Sequence, residues 1–327
     1  MQNRLTGIDA CGIILLIISL KVLLSKTGIY SIITYHHYVS SHYHGKFLQH
    51  TPAAILLTHL PQSTFQYSFR SLDTGNTGYY AIIVRIFFKR CEAVGMYEEN
   101  EKKVQTILER GVGILARNYG VRKLDAGDFS APVTLNTQFR IAHYEIENVG
   151  HLMTMYTENN PQLLMATYTL TPYYKKLPLI SSDFIFNGDG GMFLIEIYEL
   201  VKDREAASFQ AWIRKYAERF RALAEIENIP TEPCFYDPVR PVYVCKKRFP
   251  GRDQDAIQNL IDIMKIFIAQ EKSETRLENA DAAEQEAIQR KFVDDLIDRN
   301  GVSTRVWVKE HGADYVRRFF HEIFFGV

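Results

Sequence analysis

The sequence predicts an α/β fold in which a central, mainly antiparallel sheet carries helices on both faces, three layers in all. Three observations lead there. Strand-like runs crowd the middle of the chain, at "FRIAHYEIENV", "LLMATYTLT", "LISSDFIF" and "MFLIEIYELV". Helical apolar spacing precedes and follows them, the order expected of a sheet covered on both sides. The turn residues "NGDGG" join the last two runs into a hairpin, so the strands form an antiparallel meander.

Residues 1–95 stand apart as an acid-poor N-terminal extension. Between Met1 and Cys91 the acids are Asp9 and Asp73, while histidines and tyrosines gather in "YHHYVSSHYH". The run "IDACGIILLIISLKVLL" is interrupted by Lys21 and is shorter than the roughly 20 apolar residues that span a bilayer. The extension therefore reads as a targeting segment, a weak anchor touching a membrane through residues 10–24, or a leader with no fold of its own. Its histidines have no neighbouring carboxylates or cysteines, and no metal is expected there.

Within residues 96–327, "EENEKKVQTILERGVGILARNYG" places Val104, Ile107 and Leu108 on one side of a helix that ends near Gly120. Its "GVGILA" has the spacing of a dinucleotide loop but follows no strand, which excludes phosphate cradling. In "FRIAHYEIE", Phe139, Ile141, His143, Glu145 and Glu147 share one face, and Arg140, Ala142, Tyr144 and Ile146 the other. "NVGHLMTMYTENNPQ" then reads as a long connection. Asp183 interrupts an otherwise apolar strand. On the same face as His143 and Glu145 it would complete a titratable pocket floor, where burial raises a carboxyl toward neutrality and makes it a proton donor. The competing reading pairs Asp183 with a structural arginine and leaves Glu145 and Glu147 on a wet face.

Asp203 is placed to cap the helix "REAASFQAWIRKYAERFRALAEI", whose Phe209, Trp212, Ile213, Tyr216, Phe220 and Leu223 form one stripe. The proline-broken "IPTEPCFYDPVRP" and the basic "CKKRFPGR" follow as loops, and helices form around "DAIQNLIDIMKIFIAQ", "DAAEQEAIQRKFVDDLI" and "GADYVRRFFHEIFF". Lys and Arg number 38, as do Asp and Glu, so no overall charge draws the chain to nucleic acid. Cys11, Cys91, Cys234 and Cys245 lack paired spacing and point to a reducing compartment, the cytoplasm or alternatively a plastid.

"FRIAHYEIE", "LPLISSDFIF" and "GGMFLIEIYEL" together resemble the ferredoxin-dependent bilin reductase family, which reduces biliverdin and related linear tetrapyrroles. Residues 300–327 are also similar to that family's C-terminal pattern of an Asn–Asp start, an Arg, a helix-ending Gly and a last amphipathic helix closing in a Phe–Phe pair. The resemblance implies an α/β/α sandwich with the bilin between the sheet and the C-terminal helices. It implies no bound cofactor and no metal, since ferredoxin supplies electrons singly, the bilin holds the radical and acidic side chains supply protons. Carried over by position, Glu145, Asp183 and His143 are the expected catalytic residues, and Arg140, Asn300 and Arg305 the expected substrate contacts. Ferredoxin and a biliverdin-like bilin are the implied partners of a monomer. Lys246, Lys247 and Arg248 are nominated for docking the acidic ferredoxin. Two positions depart from the family: Ala166 falls near its second proton-relay residue, and Gly301 replaces the aspartate after the asparagine. A non-catalytic tetrapyrrole-binding protein is therefore the alternative, and a membrane-tethered interaction protein the third class.

Overall fold

The computed structural model describes residues 77–327 except 159, 161–162, 188–189, 248–252 and 300, and for 77–95 and 302–303 the backbone alone. The expected membrane contact at residues 10–24 lies outside the described residues, as do Asn300 and Arg248. The chain divides into two compact units, Met1–Cys91 and Glu92–Val327, and the sheet belongs wholly to the second. Among the described residues no helix is long and apolar enough to cross a membrane.

Helix α1 (Thr77–Ala116) begins well upstream of the point its periodicity suggested, and "GVGILA" is its last turn. Strands β1 (Val121–Leu124), β2 (Val133–Thr134) and β3 (Thr137–Ile146) follow. Then come β4 (Gly150–Glu158), β5 (Leu164–Pro172), β6 (Leu179–Asn187) and β7 (Gly190–Tyr198). Helix α2 (Ala207–Arg221) leads to β8 (Val242–Lys247). The chain finishes with α3 (Asp253–Ser273), α4 (Asn279–Asp298), α5 (Val302–His311), α6 (Ala313–Arg318) and a π-helical turn, Phe319–Phe325. Among the described residues the result is an α/β fold of six helices and a mainly antiparallel sheet of eight strands, ordered β1-β3-β4-β5-β6-β7-β8 with β2 beside β3.

Four strands were not read from the sequence: the short β1 and β2, and also β4 and β8. β4 lies inside the supposed connection, and nearly every residue of it is buried on both faces, which removes the polar–apolar alternation that marks a strand. β8 contains Cys245, Lys246 and Lys247, the start of the supposed basic loop. Asp203 does not cap α2 with its side chain. The helix starts one turn later, after Ala206, and Asp203 instead pairs with Lys176 at 3.0 Å.

Alternation along the strands sends side chains to two separate apolar clusters. One joins Val104, Leu115, Phe209, Tyr216, Leu260 and Phe267 of α1, α2 and α3 to Leu152, Ala166, Tyr168, Phe184 and Ile195. The other joins Phe292, Leu296, Trp307 and the Phe319–Phe325 turn to Phe139, Ile141, Met153, Met155 and Tyr198. At the β6–β7 hairpin Gly191 has φ +133°, and a Cβ there would run into the Ile185 carbonyl oxygen. Gly191→Ala is expected to lower stability by about 1–3 kcal/mol from backbone strain alone, read as the shift of a urea unfolding midpoint.

Candidate functional site

Register fixes which residues share the face toward α4 and the C-terminal turn. Ile141, Met155, Thr167, Asp183, Leu194 and Cys245 lie in one cross-strand row. His143, Met153, Thr169, Ser181 and Glu196 form the next, and Glu145, His151 and Thr171 the one beyond. Asp183 thus shares a face with His143 and Glu145, as the site requires. It does not share their neighbourhood: β4 and β5 intervene, and three strand spacings put about 14 Å between β3 and β6. The face is polar where helix packing alone would favour apolar groups, with Thr167, Thr169, Thr171 and Ser181 all buried on it.

Asp183 has no ion pair among the described residues. Its one hydrogen bond there comes from Thr167, whose hydroxyl donates to Oδ1 at 2.6 Å. The side chain keeps partial solvent access, yet protein surrounds it closely enough that loss of hydration pushes its carboxyl above the ordinary range, against the opposing pull of Thr167. Partial exposure describes the atoms' surface and the upward shift describes their field. Together they suit a carboxyl that is reachable and inclined to hold a proton.

Beside it lies a residue the sequence reading passed over. Glu196 is 6% exposed, is paired through Oε1 with Nη1 of Arg240, and is the diagonal neighbour of Asp183 on β7, a relation that spans about 7–8 Å. Burial pushes Glu196 up to about 7, against the attraction of Arg240 and with help from the charge on Asp183. Arg240, 3% exposed, also donates to Asp237 Oδ1 at 2.6 Å and lies over the rings of Tyr236 and Tyr243 at 4.9 and 4.3 Å. The signal was present: Glu196 interrupts an apolar strand in "FLIEIYEL" just as Asp183 does in "LISSDFIF".

His143 and His151 form a second buried group. His143 Nε2 lies 3.1 Å from the Asp125 carbonyl oxygen and must donate to it, so its Nδ1 accepts from His151 Nε2–H at 3.0 Å. His151 is then neutral, with a buried Nδ1 lone pair that has no partner, and burial first, then electrostatic repulsion with the adjoining His143 ring, disfavours a second proton on it and lowers it to about 3. Glu145, the cross-strand neighbour of His151, turns outward to pair with Arg122 at the sheet edge.

The other expected residues are dispersed. Arg140 lies on the reverse face and pairs with Glu158 at 2.7 Å, so the geometry gives it no part in a pocket beside Asp183. Arg305 is exposed on α5. Ala166 faces the α1 side, fully buried, and the β5 residue beside Asp183 is Thr167. Lys246 is buried and donates to the Ile226 carbonyl at 2.9 Å, because alternation along β8 turns it inward; it offers no docking charge. Lys247 is exposed and pairs with Glu227 at 3.1 Å. Recesses of about 420 and 530 Å³ open around Arg117 and Asn118, and neither is lined by Asp183.

No family model matches the chain, and no curated protein does. Solved structures do. The crystal structure of phytochromobilin synthase from tomato in complex with biliverdin superposes with a TM-score of 0.56 at 10% identity, over 68% of this chain and 82% of that one. The likeness is one of fold.

Proposed function

We propose that the chain, through its 96–327 domain, binds a biliverdin-like linear tetrapyrrole between the Asp183 face of the sheet and the C-terminal helices and reduces it with electrons from ferredoxin. Two reduced ferredoxins each give one electron, two protons enter, and one carbon–carbon double bond of the bilin becomes a single bond. Asp183 supplies a proton. The observation that carries this reading is Asp183 itself, a carboxyl turned toward that space with a threonine hydroxyl as partner in place of a cation, so that its neutral, proton-bearing form is favoured. Support comes from the fold shared with a biliverdin-bound phytochromobilin synthase. The two apolar clusters agree with the expected three-layer sandwich.

His143 and His151, linked to each other and to Asp125, are suited to holding one end of the pigment by hydrogen bonding and not to carrying charge, since a second proton on the pair has no acceptor at His151 Nδ1. The outward turn of Glu145 favours binding without reduction as the second reading. Both readings expect biliverdin titrated into the protein to develop a saturable circular-dichroism band, because a chiral site fixes one twist of an otherwise flexible pigment. An absorption and dichroism spectrum equal to that of free biliverdin at excess protein would remove both.

A further inference from the structure

We infer that Asp183 and Glu196 act as one unit holding a single exchangeable proton, with Glu196 restocking Asp183 through the Ser181 hydroxyl once Asp183 has given its proton away. Ser181 adjoins both: it is two residues from Asp183 on the same face of β6 and directly opposite Glu196 on β7. It is buried, and its hydroxyl lies 3.3 Å from that of Thr169.

Charge balance on the described residues requires the retained proton. Asp183 is faced by Thr167 from β5 and by Glu196 from β7; Glu196 is faced by Arg240, Tyr198 and Cys245. On the α4 side Phe292 packs against Tyr198 and Tyr236, and Tyr236 also lies close enough to Glu196 to feel its charge. Arg240 is the one cation among these groups and is already shared with Asp237. Two further ionised carboxylates at diagonal distance in a poorly hydrated layer repel, so one stays neutral. When Asp183 transfers its proton both carboxylates are left ionised; Glu196 then takes one proton from solvent and passes it to the Ser181 hydroxyl as that hydroxyl gives its own to Asp183. The pair again holds one proton, with Glu196 ionised against Arg240. No electrons move, and Ser181 ends unchanged.

The shared proton stands without the bilin reading; the restocking step rests on it. Infrared titration of the carboxyl C=O band of the ligand-free full chain tests the first. In Glu196→Gln the remaining Asp183 band should titrate about one pH unit or more lower than the upper carboxyl step of the parent, and in Asp183→Asn the Glu196 band should do the same. Either variant reads the coupling, so failure of one to fold leaves the test intact. In single-turnover bilin reduction the alkaline limb of the pH profile should move down equally in Glu196→Gln and return in Glu196→Asp, while Ser181→Ala slows the reaction without moving the limb. Midpoints that stay put in both single variants overturn the shared proton. A moved infrared midpoint with an unmoved profile, or an unslowed Ser181→Ala, overturns the restocking. A parent that reduces no bilin sinks the bilin reading and leaves the shared proton to the infrared result.

Discussion

Asp183→Asn is expected to slow bilin reduction by about 10² while leaving bilin affinity within about tenfold, or roughly 1.4 kcal/mol. Asparagine keeps the shape and still accepts from the Thr167 hydroxyl, but it has no transferable proton. Electrons continue to arrive, so a bilin radical should accumulate. The stability effect separates this account from a structural one. The folded chain holds the Asp183 proton to higher pH than the unfolded chain does, because burial raises the carboxyl. Stability therefore falls as pH rises through the interval between the ordinary carboxyl value and the raised one, and the penalty persists above it. Removing the acid removes the penalty. The variant should melt with the parent at acid pH and above it at neutral pH. An Asp183 that held a structural cation would show the opposite, and no such cation is present among the described residues.

Arg240→Met should cost about 3–5 kcal/mol, because it leaves the buried Glu196 without its cation and releases Asp237 as well. The sign against pH follows from the same linkage. Without the guanidinium, burial raises Glu196 beyond the value of about 7 it has in the parent, so the loss is smallest below that value, where both proteins hold the proton, and grows as pH rises above it. The double variant Glu196→Leu, Arg240→Met removes both charges and should recover much of the loss. Urea unfolding of the parent, the two single variants and the double variant at acid and alkaline pH gives the coupling directly. Equal losses at both pH values would place the cost in packing.

Much of the architecture was legible because its strands obey simple periods. β3, β5, β6 and β7 alternate or end in turn residues, and the α2 stripe is buried at Phe209, Ile213, Tyr216 and Phe220, while Trp212 stays half-buried under Lys215. β4 was not legible, since burial of both its faces erases alternation, and that omission displaced the site. With β3, β5 and β6 read as neighbours, His143, Glu145 and Asp183 converge; with β4 inserted, they spread across the sheet. Lys246 failed for a related reason, as a cation beside Lys247 looks like solvent-facing charge until β8 gives it an inward face. Arg240, in a proline-broken loop, had no local signal tying it to Glu196, 44 residues earlier. Such pairings depend on tertiary contact, which sequence spacing does not encode.

The reductase reading is tested most directly by adding reduced ferredoxin, without oxygen, to the protein with one equivalent of biliverdin and recording the pigment's absorption over time. The account predicts a radical absorption that rises and decays into the spectrum of a bilin with one fewer conjugated double bond, complete in the parent and arrested at the radical in Asp183→Asn. A pigment spectrum unchanged by reduced ferredoxin, with the pigment still bound, would contradict it.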